Sequence, residues 1–299
     1  MELSVELAGL KLRNPTMLAA GIFGVTGFSL KRAAQAGAGA VITKSISLKP
    51  NPGYPNPTTV EVVGGFLNAM GLPNPGCYEF SQEIKIAKEG EVPVIASIYG
   101  STSDEFAQVA KVMENAGADG LELNVSCPHV GGLIQIGQNS ELTADVVKAV
   151  KKEVRIPVMV KLSSVPNLTE IAISAEKAGA NIISAINSVG PGMVIDIETG
   201  TPILSNKVGG LSGQCIKPIA VRCVYEISKC VKIPVVGVGG ITSGKDAIEF
   251  FMAGAKAIQI GTGIYYHGIE IFKRIVFEIS DFLEEKGYTS LNEIMGLAH

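Results

Sequence analysis

The chain has 299 residues, enough for two ordinary domains or for one α/β barrel. Charged residues make up 18% and hydrophobic ones 46%, so much of the chain must be buried, and a net charge of -3 with no basic tract argues against nucleic-acid binding. Residues 3–10 are too few and too acidic for the apolar part of a signal peptide, and no uninterrupted apolar span approaches ~20 residues, which predicts a soluble, cytoplasmic protein with no membrane contact.

Residues 4–13 alternate about a turn at Gly9 and predict a small hairpin ahead of the main fold. Beyond it, two kinds of punctuation take turns. Ala-Gly-Ala stands at 36–38, 116–118, 178–180 and 253–255, where glycine makes a good left-handed helix stop, and each copy precedes an apolar run at 40–43, 120–123, 181–186 or 257–260. Between the copies, Val92-Pro93-Val94, Ile156-Pro157-Val158 and Ile233-Pro234-Val235 lead into further apolar runs; residues 16–19 supply the first, giving eight short strands. Helical patterns lie at roughly 29–36, 79–89, 104–116, 143–153, 169–178, 216–230, 244–253 and 268–286. Strands without alternation, interleaved with amphipathic helices, predict a parallel sheet covered by helices, and eight such units predict a (β/α)8 TIM barrel. A doubly wound sheet would need no count of eight and would favour G-x-G-x-x-G after the first strand, which is absent. Two connections, 45–77 after strand 2 and 189–214 after strand 6, are too long for plain loops. Both leave from the C-terminal ends of strands, so they are expected as lids or substrate walls within one domain spanning 1–299.

Cys77, Cys127, Cys215, Cys223 and Cys230 are odd in number and form no C-x-x-C, which argues against a disulfide framework and against a self-contained zinc or iron–sulfur site. Cys215, Cys223 and Cys230 fall in one helical pattern and read as core packing, and Cys77 reads as a loop residue. Cys127 differs. In Asn124-Val125-Ser126-Cys127-Pro128 an amide, a hydroxyl and a thiol stand where the strand must stop, because Pro128 cannot donate to a ladder. The other strand ends carry Ala20-Gly21, Lys44-Ser45, Ser97, Lys161, Asn187-Ser188, Gly239-Gly240 and Gly261-Thr262, a polar, glycine-rich set converging on one rim. A lysine in such a water-poor mouth needs an anionic partner. The glycines end strands 7 and 8, the recurrent phosphate site of these barrels, and Gly209-Gly210-Leu211-Ser212-Gly213 closes the strand-6 insertion near the same place. These residues describe a barrel that binds a phosphorylated ligand. They leave open proton abstraction, redox chemistry, a Schiff-base lyase or isomerase using Lys161 or Lys44, and a non-catalytic binding barrel.

Thr43-Lys44-Ser45, Leu67-Asn68-Ala69-Met70-Gly71-Leu72, Asn124-Val125-Ser126-Cys127-Pro128, Val160-Lys161-Leu162-Ser163, and Gly209-Gly210-Leu211-Ser212-Gly213 followed by Ile216-Lys217-Pro218 make a set that resembles class 1 dihydroorotate dehydrogenases over essentially the full length. The resemblance implies an FMN-binding barrel with no metal. The FMN phosphate would rest on Gly239, Gly240, Gly261 and Thr262, closed by Gly213, and Lys161 would stand at the flavin's pyrimidine edge; Ala20, Gly21, Lys44, Ser45, Ser97, Asn124 and Ile186 complete the implied cofactor contacts. Dihydroorotate would be held by Lys44, Asn68, Asn124, Asn187 and Ser188, with backbone from Ala69, Met70, Gly71 and Leu72 lining its pocket. Cys127 would take the C5 proton as hydride leaves C6 for flavin N5; a free thiol titrates near ~8.5, so its surroundings must make the thiolate accessible.

The family's cysteine separates it from the membrane-bound class, which has serine there. Asn-Pro-Gly after Gly71-Leu72-Pro73, and Ile216-Lys217-Pro218-Ile219-Ala220, resemble the NAD-linked B type, which implies a partner subunit carrying FAD and a 2Fe-2S cluster, in a homodimer core or heterotetramer; the fumarate-using A type is the alternative. The chain departs from the pattern at His129, where many relatives have Asn, at Ala20 and Ser97, where they have Ser or Asn, and along His129-Val130-Gly131-Gly132-Leu133.

Overall fold

The computed structural model describes residues 3–125 and 131–299. Eight parallel strands, Thr16–Leu18, Ala40–Ile42, Val94–Ile98, Gly120–Asn124, Val158–Leu162, Ile182–Ala185, Val235–Val238 and Ala257–Ile260, pair with their neighbours in chain order, and the last pairs with the first to close a barrel. Helices Gly27–Gln35, Cys77–Lys88, Ser103–Asn115, Ser140–Glu153, Leu168–Lys177, Lys217–Cys230, Gly244–Met252 and Ile271–Lys286 lie where the periodicity predicts them. Gly37, Gly117, Gly179 and Gly254 all have φ near +100°, so each Ala-Gly-Ala is the left-handed stop its sequence suggests. The fold is the expected α/β (β/α)8 barrel. Among the described residues, no helix is long and apolar enough to cross a membrane.

Each strand is buried on both faces but faces two different interiors. Leu121 and Leu123, Val158 and Val160, and Ile258 and Ile260 turn outward into the layer between strands and helices. Their alternates turn into the barrel, where Met17, Ile42, Ile95, Met159, Ile182 and Val236 form a separate cluster with Leu7, Leu10 and Leu12. Those leucines belong to the predicted hairpin, Val5–Leu7 paired with Leu10–Leu12, which therefore plugs the N-terminal end. Burying each such side chain contributes ~1.5–3 kcal/mol.

The two insertions do more than wall the mouth separately. Val189–Gly192 and Gly209–Ser212 from the second pair with Gly65–Asn68 and Thr59–Val62 from the first in one antiparallel sheet. Helices Gly131–Gln138 and Gly263–His267 were not foreseen. Two cysteine assignments also change. Cys77 is the first residue of its helix and fully buried rather than a loop residue. Cys215 is exposed in a 3-10 turn, because Pro218 fixes the helix start at Lys217 and leaves Cys215 outside. Cys223 is core, as expected, and Cys230 is half-buried.

Candidate active site

The C-terminal ends of the strands surround a cavity of about 380 Å³, within the usual range of small-molecule sites. Of the predicted cofactor contacts, Ala20, Gly21, Lys44, Ser45, Asn124, Lys161, Ile186, Gly213, Gly239, Gly240, Gly261 and Thr262 line it. Of the predicted substrate contacts, Asn68, Met70, Gly71, Leu72, Asn187 and Ser188 line it too. Ser97 is fully buried behind the wall, and Ala69 is packed among Leu67 and Leu204 beneath it. Cys127 and His129 lie outside the described residues.

At the seventh and eighth strands three glycine loops meet. Gly240 has φ +75° and Gly213 φ +104°, and a Cβ on Gly240 would come within 2.8 Å of the Gly213 carbonyl, so the close approach of the loops requires glycine. Thr262 Oγ1 reaches Ser212 Oγ at 2.9 Å and ties the eighth-strand loop to the strand-6 insertion. A Cβ added at Gly21 would meet nothing within 4 Å, and one at Gly261 only Ala19 Cβ at 3.5 Å, so these two glycines leave open room against the backbone. Such a cradle of small residues and backbone amides fits the phosphate and flat ring system of a nucleotide cofactor.

Around the opposite wall a string of polar side chains runs from strand to strand. Ser97 Oγ and Ser45 Oγ are 3.0 Å apart; Asn124 Nδ2 donates to Ser45 Oγ at 3.0 Å; Asn187 Nδ2 donates to Asn124 Oδ1 at 3.1 Å. Ser97 thus supports the wall from behind. Lys44, on the second strand's end, is buried beside Met70, its Nζ 3.9 Å from the thioether sulfur. The strap carrying Gly71 and Leu72 is fixed by Tyr99, whose hydroxyl donates to the Leu72 carbonyl at 3.2 Å and accepts from Asn51 Nδ2 at 2.8 Å and Asn74 Nδ2 at 3.1 Å. Asn51 and Asn74 also donate to the Gly71 and Leu72 carbonyls, at 2.9 and 3.0 Å.

Between the two walls lies Lys161, only 6% exposed. The anionic partner that its burial requires is Glu122, whose Oε1 accepts from Lys161 Nζ at 3.3 Å. Glu122, Gln259 and Ser184 escaped the sequence reading because they sit inside runs that read as apolar strand. One signal was present. Glu122 is two residues before Asn124, and Gln259 two before Gly261, on the same face of their strands as those rim residues. Among the described residues, no group of three His, Cys, Asp or Glu side chains could hold a metal ion.

A closed parallel barrel whose C-terminal mouth gathers two buried lysines, amides, hydroxyls and glycine loops has the layout of a barrel enzyme. The dihydroorotate dehydrogenase family profile matches residues 2–283. The chain belongs to the dihydroorotate dehydrogenase family of oxidoreductases. It is 53% identical to the protein named dihydroorotate dehydrogenase B (NAD(+)), catalytic subunit, of Methanothermobacter thermautotrophicus, over 99% of this chain and 98% of the relative. The protein of the same name from Methanocaldococcus jannaschii is also 53% identical, with 99% and 98% covered, and that of Pyrococcus furiosus is 48% identical, with 100% and 99% covered. The similarity is thus to class 1 enzymes of the B type. The crystal structure of DHODH from Eimeria tenella in complex with ferulenol superposes with a TM-score of 0.88 at 22% identity, covering 99% of this chain and 88% of that one, and attests the fold alone.

Proposed function

We propose that this chain binds FMN across the barrel mouth and oxidises dihydroorotate to orotate in de novo pyrimidine (UMP) biosynthesis. The observation that carries the reading is one continuous cavity with glycine loops at the seventh and eighth strands, buried Lys161 on its floor, Lys44, Asn124 and Asn187 at the second, fourth and sixth, and Asn68 on the insertion sheet. The relatives' shared name supports the substrate, and the glycine cradle supports the cofactor.

When bound, FMN supplies the hydride acceptor. Gly239, Gly240, Gly261 and Thr262 would hold its phosphate, with Gly213 closing the loop, and Ala20, Gly21, Ser45 and Ile186 would pack along it. The Lys161 ammonium offers a positive charge to the ring. Lys44 offers a second cation for the substrate carboxylate, and the carboxamides of Asn68, Asn124 and Asn187 offer donors and acceptors that match a pyrimidine edge. The Asn187 carboxamide is itself oriented, since its Oδ1 accepts from the Ser188 amide at 2.9 Å. The strap of Ala69, Met70, Gly71 and Leu72 shields the substrate from water. Cys127 Sγ takes the C5 proton.

We further propose that the chain works as the catalytic subunit of a B-type enzyme, a homodimer core joined by a partner carrying FAD and a 2Fe-2S cluster that delivers electrons to NAD. The words "catalytic subunit" in the relatives' names support this.

Protein purified in air should be yellow, and dihydroorotate added without oxygen should bleach it. Colourless protein that takes up no FMN overturns the reading. Turnover with NAD that requires the partner subunit selects the B type, whereas turnover with fumarate by this chain alone assigns it to the A type.

A further inference from the structure

The cavity floor holds a charge that the proposed reaction does not use. Glu122 is completely buried on the fourth strand, and the fifth, sixth and eighth strands each aim a donor at it. Oε1 accepts from Lys161 Nζ at 3.3 Å; Oε2 accepts from Gln259 Nε2 at 2.6 Å and from Ser184 Oγ at 3.1 Å. Gln259 closes the cluster, because its Oε1 accepts from Lys161 Nζ at 3.3 Å. Since a lysine only donates, that bond orients the carboxamide and turns its Nε2 toward the carboxylate.

Both oxygens of Glu122 are therefore engaged by the protein's own donors. A carboxylate so placed acts on a ligand through Lys161, the cation it is paired with. Burying a charge is costly even when it is paired, and a neutral amide of the same shape at 122 could still accept from Lys161. Placement of the lysine alone does not account for a full negative charge behind it. What the charge adds is electrostatic. A lone ammonium projects a cation's field into a low-dielectric cavity, whereas an ammonium backed by a carboxylate projects the weaker, shorter-ranged field of a pair.

We propose that Glu122 is a positioning residue that sets the strength of the Lys161 field on the bound flavin and so holds down the cofactor's reduction potential, favouring release of the electrons taken from substrate. The inference rests on FMN occupying the mouth. A reduced flavin gains negative charge, so a stronger cationic field stabilises the reduced form and a weaker one favours its reoxidation. An enzyme that must hand electrons onward is served by the weaker field.

The test is an anaerobic redox titration of the FMN-loaded protein against a reference dye, with FMN affinity measured separately by fluorescence quenching. Glu122→Gln should shift the reduction equilibrium at least tenfold toward reduced flavin, about 30 mV for a two-electron couple. Glu122→Asp, which withdraws the charge from Lys161 by one methylene, should shift it in the same direction but less. Adding Lys161→Gln to Glu122→Gln should abolish the rise. If Glu122→Gln does not hold FMN, Glu122→Asp decides alone: a rise supports the proposal, and no change or a fall overturns it. A rise that persists undiminished without Lys161 overturns it as well. Wild-type protein that binds no FMN removes the underlying functional reading; wild-type protein that binds FMN, with variants of unmoved potential, removes this inference only.

Discussion

At the N-terminal end of the barrel, Met159, Ile182 and Ala257 face the hairpin leucines in a dry apolar plug; two residues further along the same strands, Lys161, Ser184 and Gln259 face Glu122 in a cluster of charges and hydrogen bonds. One pleat separates the two layers, and their physics is opposite. The plug is held by area removed from water, a non-directional contribution that tolerates any well-fitting apolar side chain. The mouth is held by bonds that must each be made, because a buried group that loses its partner costs more than the bond was worth. Stability concentrated at one end leaves the other free to keep charges that a core would not retain.

The sharpest separation of the two ends is expected from Cys127→Ala. Loss of a general base should lower turnover ~10²–10⁴-fold, with FMN still bound and the thermal midpoint unmoved. A comparable loss of stability would mean that the thiol belongs to the packing after all. Lys161→Ala should be destabilising by ~3–5 kcal/mol, because it strands the Glu122 carboxylate, and should weaken FMN binding in the same protein. Urea unfolding of the apoprotein measures the first effect and flavin titration the second. Leu12→Ala, a fully buried residue of the hairpin plug, should cost ~2–5 kcal/mol in the same unfolding experiment while leaving FMN affinity unchanged. If the plug variant altered affinity as much as the mouth variant, the two layers would not be energetically separate.

Gly261→Val and Gly240→Val divide the mouth itself. Gly261 has open room beside it, so valine there should weaken FMN at least tenfold with little change in apoprotein stability. Gly240, at φ +75° and against the Gly213 carbonyl, should lose both, since its backbone is strained by any side chain.

How much of this was legible in the sequence follows from the same contrast. The eight strands were visible because burial on both faces makes unbroken apolar runs, and Ala-Gly-Ala marks where helices stop. The rim residues Lys44, Asn124 and Lys161 were visible because they end those runs. Glu122 and Gln259 were not. A strand buried on both faces has no polar-apolar alternation to reveal which face looks into the barrel, so Leu121-Glu122-Leu123 reads as one apolar run with an anomaly inside it. Partners on other strands make that anomaly stable, and they lie 39 residues away at Lys161 and 137 at Gln259. The sheet joining the two insertions was hidden for the same reason, since Leu67 and Leu211 pair across a separation that leaves no local trace. The helix Gly131–Gln138 opens on two glycines, poorer helix formers than any residue but proline, and so read as loop.

The smallest effect expected concerns how far the electrostatic character of the mouth extends. Asp246 completes the capping box of helix Gly244–Met252, whose N-cap is Ser243, directly behind the strand-7 glycine loop. Its Oδ2 accepts from the Thr242 and Ser243 amides at 2.9 and 3.0 Å, and Lys217 Nζ donates to its Oδ1 at 2.9 Å. Burial alone would raise its pKa, but the Lys217 ammonium and the Thr242 and Ser243 donors outweigh burial and hold the carboxyl below its ordinary value. A carboxyl depressed in the folded state contributes stability that is fully present above its unfolded value of ~3.9 and is lost as pH falls through the folded value. Asp246→Asn should therefore cost ~1–2 kcal/mol at pH 7, in line with loss of a cap and a partly exposed ion pair. The gap from wild type should hold down to about pH 5 and close below about pH 4. Leu12→Ala provides the control, because removing apolar area has no proton to exchange and its gap should stay level over the same range. Unfolding of the three apoproteins at pH 7, 5 and 3.5 decides the matter, and an Asp246→Asn gap that widens on acidification would show that the carboxyl is held neutral rather than charged.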